Sequence, residues 1–442
     1  MGEAEGIKPD WSFHQHGPQQ QFGNYGLAYV SSMGFYYSLF DGTPFRFDAE
    51  QEQILRSLIN EGYKWVVWKR YMDVSALGRQ LFHNAQLHKA YSIAFTAAGF
   101  GIDGFPTHGN QLVGHKHFDD SDYTIHRSKD WMASLKMSSS RVIGTEVVNE
   151  DNHLGYYLGD GATYYYCTGD EYLNVFPFWD WRKIPGVTAY EDTTPIPNIR
   201  QNKSRNRSSL VGGLTHGNRG VSAMALDRDG LTGRKTWLFT DDFVLNLGTG
   251  ISTDSLLAVT TAIEGRVKAG DLRALSGNQW RTVVGSESFP TGEARLFHAS
   301  TGYVVIPGDT LVVEAGTRTG DWSDNMKMYR ASKIQGDVVA MHLRHGVSPK
   351  DASYHYYVMP ATTPEAVEKF NPASCVKIHR NDRDAQIIET LGESPELWAV
   401  VYTPGNITRG DFSFTADAPG IYHFSRSASG EWSHDSRSLF RI

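Results

Sequence analysis

The chain has 442 residues, 40% hydrophobic and 21% charged, so it can bury a sizeable core and is no disordered tail. A net charge of −7 argues against nucleic acid or a membrane surface as partner. With only two cysteines, Cys167 and Cys375, one disulfide or none can form, which excludes a small disulfide-stapled scaffold.

The N-terminal residues 1–10 are polar and acidic, without the basic and apolar regions of a signal peptide. Residues 10–26, DWSFHQHGPQQQFGNYG, are crowded with His, Gln and Asn. Pro18, Gly17 and Gly23 break helical continuity, so this reads as a loop entering a helix near Asn24 or Tyr25. His14 and His16 offer two imidazoles but no third ligand at metal spacing, so no metal is assigned. Asp48 and Gln51 form a capping-box pattern before Ile54, Leu55, Leu58 and Ile59, with Gly62 as the expected C-cap. Gly78–Arg79 interrupts a helical stretch, and His83 follows one turn later on the same face. An arginine there suits bidentate capture of a carboxylate, although an exposed surface arginine is the more common case. Residues 86–98 read as another helix.

Gly, His and Asp dominate from about Gly101 to Asp130, and a linker is expected there. Beyond Trp131 the chain reads as short strands with Gly-rich turns, which suggests antiparallel sandwiches. TGYVVIPGDTLVVEAG reads as two strands joined at Pro307, Gly308 and Asp309. GTEVVNEDNHLGYYLGDG carries Glu146 and Asn149 just before an acidic, amide-rich turn. RQNKSRNR (200–207) is a basic loop able to face an anionic glycan. LVGGLTHGNRG (210–220) lacks the ending of a phosphate loop and reads as tight turns beside a cleft. A second boundary falls between Met359 and Cys375, where three prolines cluster.

Taken together, QHGPQQQFGNYG, GRQLFHN, EVVNEDN with GYYLGDGATY, FPFWDWRKIPGVT, GGLTHGNRGVSAMALDRDGLTGRKTWLF and LNLGTGI resemble polysaccharide lyase family eight. This family comprises the chondroitin AC, hyaluronate and xanthan lyases, and the chondroitin AC pattern matches most fully. The resemblance implies an α+β multidomain fold. A partial α/α toroid (1–122) would precede an antiparallel β-supersandwich (123–360) and a smaller C-terminal β domain (361–442). The family's helical domain is longer, so the resemblance also implies a chain shortened at its N-terminus. It further implies a carbon–oxygen lyase that cleaves an acidic, uronic-acid-containing polysaccharide by β-elimination, outside the cytoplasm or in the periplasm. His16, Tyr25, Arg79 and Glu146 would be catalytic. Gln19, Asn24, His83 and Asn149 would bind substrate. Tyr25 would serve as base and acid with Arg79 stabilising its ionised form, and Glu146 would orient Arg79 and His16. No cofactor is required. Some family members hold calcium near the W-x-W segment, where Asp180 and Glu191 match two ligands. Arg182 replaces a third, and its charge disfavours Ca²⁺. A catalytically impaired glycan-binding remnant is the alternative reading. A hydrolase using Glu146 and Asp151 is a third, and it would leave saturated products.

Overall fold

In a computed structural model, the structure describes residues 5–102, 105, 112–197, 203–290, 292–306, 308–392, 394–409, 412–427 and 430–440. The loop rich in His and Gln ends in a π-helical turn, Phe22–Gly26, which runs directly into helix α1, Leu27–Phe40. Helix α2, Ala49–Ser57, starts on Asp48 with both halves of the capping box formed. Gly62 does not cap it. The chain continues through a second π-helical turn, Leu58–Tyr63, and the missing Cβ of Gly62 makes room for the Trp11 carbonyl. Helix α3, Ala85–Gly99, packs on α1, with Thr96 against Gly34. Phe35, Leu39, Tyr91 and Phe95 on these two helices remain exposed.

The expected linker is partly a sheet. Gly114–Phe118 pairs with Tyr123–Arg127, then Met132–Lys136 and Ala162–Tyr166 complete four antiparallel strands. The boundary anticipated at residue 122 therefore falls inside a hairpin. The polar texture misled because this sheet is covered on both faces, so its polar side chains are buried among other parts of the protein instead of facing water. Phe118, Tyr123, Ile125, Met132, Tyr164 and Tyr166 face the helices, while Ala133, Leu135 and Tyr165 face the larger sheets. Thr124 Oγ1 lies 2.7 Å from Ser222 Oγ and 2.8 Å from His117 Nδ1. The His115 and His126 rings pack on Phe239.

The centre is a nine-stranded antiparallel sheet running from Val211–His216 at one edge to Gln279–Thr282 at the other. One of its faces shares a core, through Trp237, Tyr303, Val313, Val339 and Met341, with a five-stranded sheet made of Thr188–Glu191, Ala258–Val267, Ile334–Val347, Thr310–Gly320 and Gly285–Phe289. Thr301–Ile306 belongs to the nine-stranded sheet and Thr310–Gly320 to the five-stranded one, so these two strands do not pair as a hairpin; Pro307 of the expected turn lies outside the described residues. The other face of the large sheet packs through Val221, Leu245 and Tyr357 against Val376, Ile388 and Trp398 of the C-terminal five-stranded sheet. Two short helices, Pro364–Lys369 and Pro372–Cys375, occupy the proline-rich junction. Both cysteines are free. No helix among the described residues is long and apolar enough to cross a membrane.

Candidate active site

Three segments converge where the helices meet the sheets. The first is the loop before α1. His16 lies in the left-handed backbone region at φ 63°, with Gly17 at φ 89° beside it. A non-glycine residue rarely adopts this conformation, and such strain concentrates at functional sites. The second segment is the turn before α3, where Gly78 (φ 63°) precedes Arg79. The third is the short strand Thr145–Glu146, paired with Lys203–Ser204.

Glu146 is buried, and its carboxylate accepts three side-chain donors. His16 Nδ1 lies 3.0 and 3.1 Å from the two oxygens, Gln21 Nε2 donates at 3.0 Å, and the buried Arg79 donates through Nη1. Arg79 Nη2 donates to the Tyr25 hydroxyl at 3.3 Å, and its guanidinium lies over the Tyr25 ring, 5.3 Å from the centroid. The His16 and Tyr25 rings meet edge to face at 4.8 Å. All four residues expected to be catalytic therefore form one continuous network. Glu146 is itself held in place from behind, since the buried Asn152 amide donates to Thr145 Oγ1 at 2.8 Å and to the Glu146 carbonyl at 3.1 Å.

The four expected substrate contacts divide. Asn149 (φ 57°) and His83 are exposed. The His83 ring stands edge-on to Trp322 at 5.8 Å, and its backbone N–H donates to the Tyr329 hydroxyl at 2.9 Å. Asn24 is half-buried on the Tyr25 turn. Gln19 is different. It is buried, and it lines a cavity of about 20 Å³ with Gln20, Ser75 and Lys136. A side chain in that position faces the interior of the protein.

Four residues near the site were not singled out by the sequence. Gln21 was one of several glutamines in a row, and only the fold shows which one reaches Glu146. Trp322 and Tyr329 arrive from the central domain, beside His83. Lys89, on the buried face of α3, donates to the Gly23 carbonyl and to Gln80 Oε1. Burial, with Arg79 nearby, pulls its amine down to about 7. Asp151 is pushed up by burial, against the opposing charges of Arg79, His153 and Lys89.

Of the basic run, 200–202 lie outside the described residues. Arg205 donates to the Ser140 carbonyl at 2.9 Å and Arg207 to Asp227 at 2.7 Å, so both are tied to the protein. The 210–220 segment is mainly strand instead of the expected tight turns: Val211–His216 turns back at 217–218 into Arg219–Arg228, and this edge lies against the C-terminal sheet. The W-x-W residues do not fit calcium. The Lys183 ammonium already sits between Asp180 (3.3 Å) and Glu191 (3.0 Å), and Arg182 donates to the Tyr157 hydroxyl at 2.9 Å.

Comparison with known proteins gives the same picture. Residues 1–101 match the N terminal alpha-helical domain of polysaccharide lyase family 8, and residues 113–371 match its super-sandwich domain. Chondroitinase-AC of Pedobacter heparinus is 28% identical over 441 residues, covering 94% of this chain and 61% of that protein. Hyaluronate lyase of Thermasporomyces composti is 26% identical over 480 residues, covering 94% and 60%. The chain thus spans about three fifths of the length of these relatives. A solved structure of chondroitinase AC lyase superposes with a TM-score of 0.88 at 24% identity, covering 100% of this chain and 71% of that one. Paenibacillus xanthan lyase gives 0.84 at 22%, covering 97% and 46%. The helical domain, the super-sandwich and the match across more than half of the sequence agree: this chain belongs to polysaccharide lyase family 8.

Proposed function

We propose that the His16–Glu146–Arg79–Tyr25 network cleaves a uronic-acid-containing glycan, of the chondroitin or hyaluronan kind, by β-elimination. The observation that carries this reading is the Tyr25 hydroxyl, held by a guanidinium whose other arm is fixed on a buried carboxylate. In such a reaction the C5 proton of the uronate leaves, the C4–O bond breaks, and a C4–C5 double bond remains. A base must take the proton and an acid must give one to the departing oxygen. A tyrosine can do both in turn if negative charge on its oxygen is stabilised, and Arg79 is placed to supply that stabilisation. His16, half-exposed and oriented by Glu146, would bind the uronate beside Tyr25. Asn149, His83 and Asn24 would hold the sugars, with Trp322 offering a ring face. Such polymers lie outside the cytoplasm, so the reading carries an extracellular or periplasmic place of action.

The complete network does not favour an impaired glycan-binding remnant. Hydrolysis by Glu146 and Asp151 is disfavoured as well, because three donors already occupy the Glu146 carboxylate. The test is to incubate the protein with chondroitin, hyaluronan and xanthan and follow ultraviolet absorbance of unsaturated uronate. A rise on one polymer, absent in Tyr25→Phe, supports the reading. Folded protein that produces no rise on any of the three overturns it.

A further inference from the structure

We propose that His216, Glu396 and His423 form a zinc site that joins the central sheet to the C-terminal sheet. His216 ends the edge strand Val211–His216 of the nine-stranded sheet. Glu396 and His423 sit on neighbouring strands of the C-terminal sheet, Glu396–Val401 and Gly420–Arg426. One ligand atom from each of the three lies within 4.8 Å of the others. Zinc bonds of about 2.0–2.2 Å would draw them closer.

His423 gives the independent indication. Its side chain is fully buried, yet neither ring nitrogen has a hydrogen-bond partner. A buried polar group without a hydrogen bond is costly, and at His423, unlike at His115 and His126, carboxylates face both nitrogens. Trp398 lies 4.3 Å from the His423 ring and His216 stacks on it at 4.0 Å; two stacked imidazoles cannot both aim a nitrogen at one ion, so ligation requires the half-buried His216 ring to turn out of this stack. Glu396 Oε1 stands 3.7 Å from Nε2 and Asp435 Oδ2 stands 3.4 Å from Nδ1. A carboxylate behind one nitrogen leaves the other free to ligate, the usual carboxylate–histidine–zinc order. Arg219 is the one cation at the cluster among the described ion pairs. It uses the other oxygen, Glu396 Oε2, at 3.3 Å and leaves Oε1 available. Two imidazoles and one carboxylate suit zinc, and calcium prefers an all-oxygen shell. His216 and Glu396 are half-buried, which leaves a fourth position open to water. A metal bound to the folded state alone would stabilise the junction between the two sheets.

The experiment titrates chelator-treated, full-length protein with zinc chloride by calorimetry and follows thermal unfolding in parallel. One zinc per chain is expected, with the melting temperature rising as zinc is added, while calcium chloride gives neither. His216→Ala removes only a half-buried ring, so the protein still folds by circular dichroism but loses the stoichiometric site. Asp435→Asn keeps the site and weakens it roughly 10–100-fold. Folded wild type that takes up no stoichiometric zinc overturns the proposal, and so does unchanged zinc affinity in His216→Ala. Elimination by Tyr25 plays no part in either readout.

Discussion

Glu146 anchors both His16 and Arg79, whereas Tyr25 only receives a hydrogen bond at the end of the network. The two positions should therefore fail in different ways. Tyr25→Phe removes one hydroxyl from a half-exposed ring, so the fold should persist while turnover falls roughly 10²–10⁴-fold, the usual worth of a general acid–base group. Glu146→Ala strips the partner from a buried guanidinium. Breaking a buried pair on one side costs about 3–5 kcal/mol, so stability and turnover should fall together. Urea unfolding alongside the ultraviolet assay separates the two cases, and a Glu146→Ala protein as stable as wild type would contradict the anchoring role. His16, Tyr25, Arg79 and Glu146 were legible in the sequence because each lies in a local motif with fixed spacing. Gln21 and Lys89 were not, because their importance comes from where the fold carries them. The burial of Gln19 was not legible for the same reason, since nothing local tells a loop glutamine that faces inward from one that faces out.

At the scale of elements, local rules worked where local interactions decide. Asp48 and Gln51 form their capping box across one helical turn, so the start of α2 followed from four residues. Asp48→Ala should cost about 1 kcal/mol, measured as a shift in urea midpoint with unchanged m-value. A shift indistinguishable from zero would mean that packing alone holds α2. Local rules failed where burial on both faces erases alternation. Tyr123–Arg127 is buried along its whole length although it contains Thr, His and Arg. Part of its polarity is met by partners distant in sequence, such as Arg127 Nη1 donating to the Val67 carbonyl at 2.8 Å, while the His126 ring packs on Phe239. The passage from Thr301–Ile306 to Thr310–Gly320 shows a related limit. The strands it joins were readable, but sheet membership depends on pairing with residues 352–360 and 334–347, which no local window contains.

The whole molecule buries ionisable groups of both kinds, and together they set how stability varies with pH. Burial pulls His14, His126 and His298 down to about 3 and His342 to about 4. Unfolded histidine titrates near 6.5. Below that pH the unfolded chain takes up protons that the folded chain refuses, so stability is lost as pH falls toward 4. Each such group contributes up to about 1.4 kcal/mol per pH unit. Four acting together would consume a typical folding stability of about 5–15 kcal/mol within a few units. Buried amines act on the other side of neutrality. Lys89 and Lys235 are pulled to about 7 and Lys136 to about 8, against about 10.4 when unfolded. Between pH 7 and 10 the unfolded chain again binds more protons, so stability should keep rising. Above about 10 the sign reverses, because buried tyrosines such as Tyr165 and Tyr303 hold their protons longer folded than unfolded. The protein should therefore be most stable well above neutral pH, with urea midpoints in the order pH 9 above pH 7 above pH 5. Lys235→Met should flatten the rise from 7 to 9, since it removes one of the three amines while filling the same space. A midpoint that is flat or falls between pH 7 and 9 would mean that these amines stay charged in the fold, held by the carbonyls they contact.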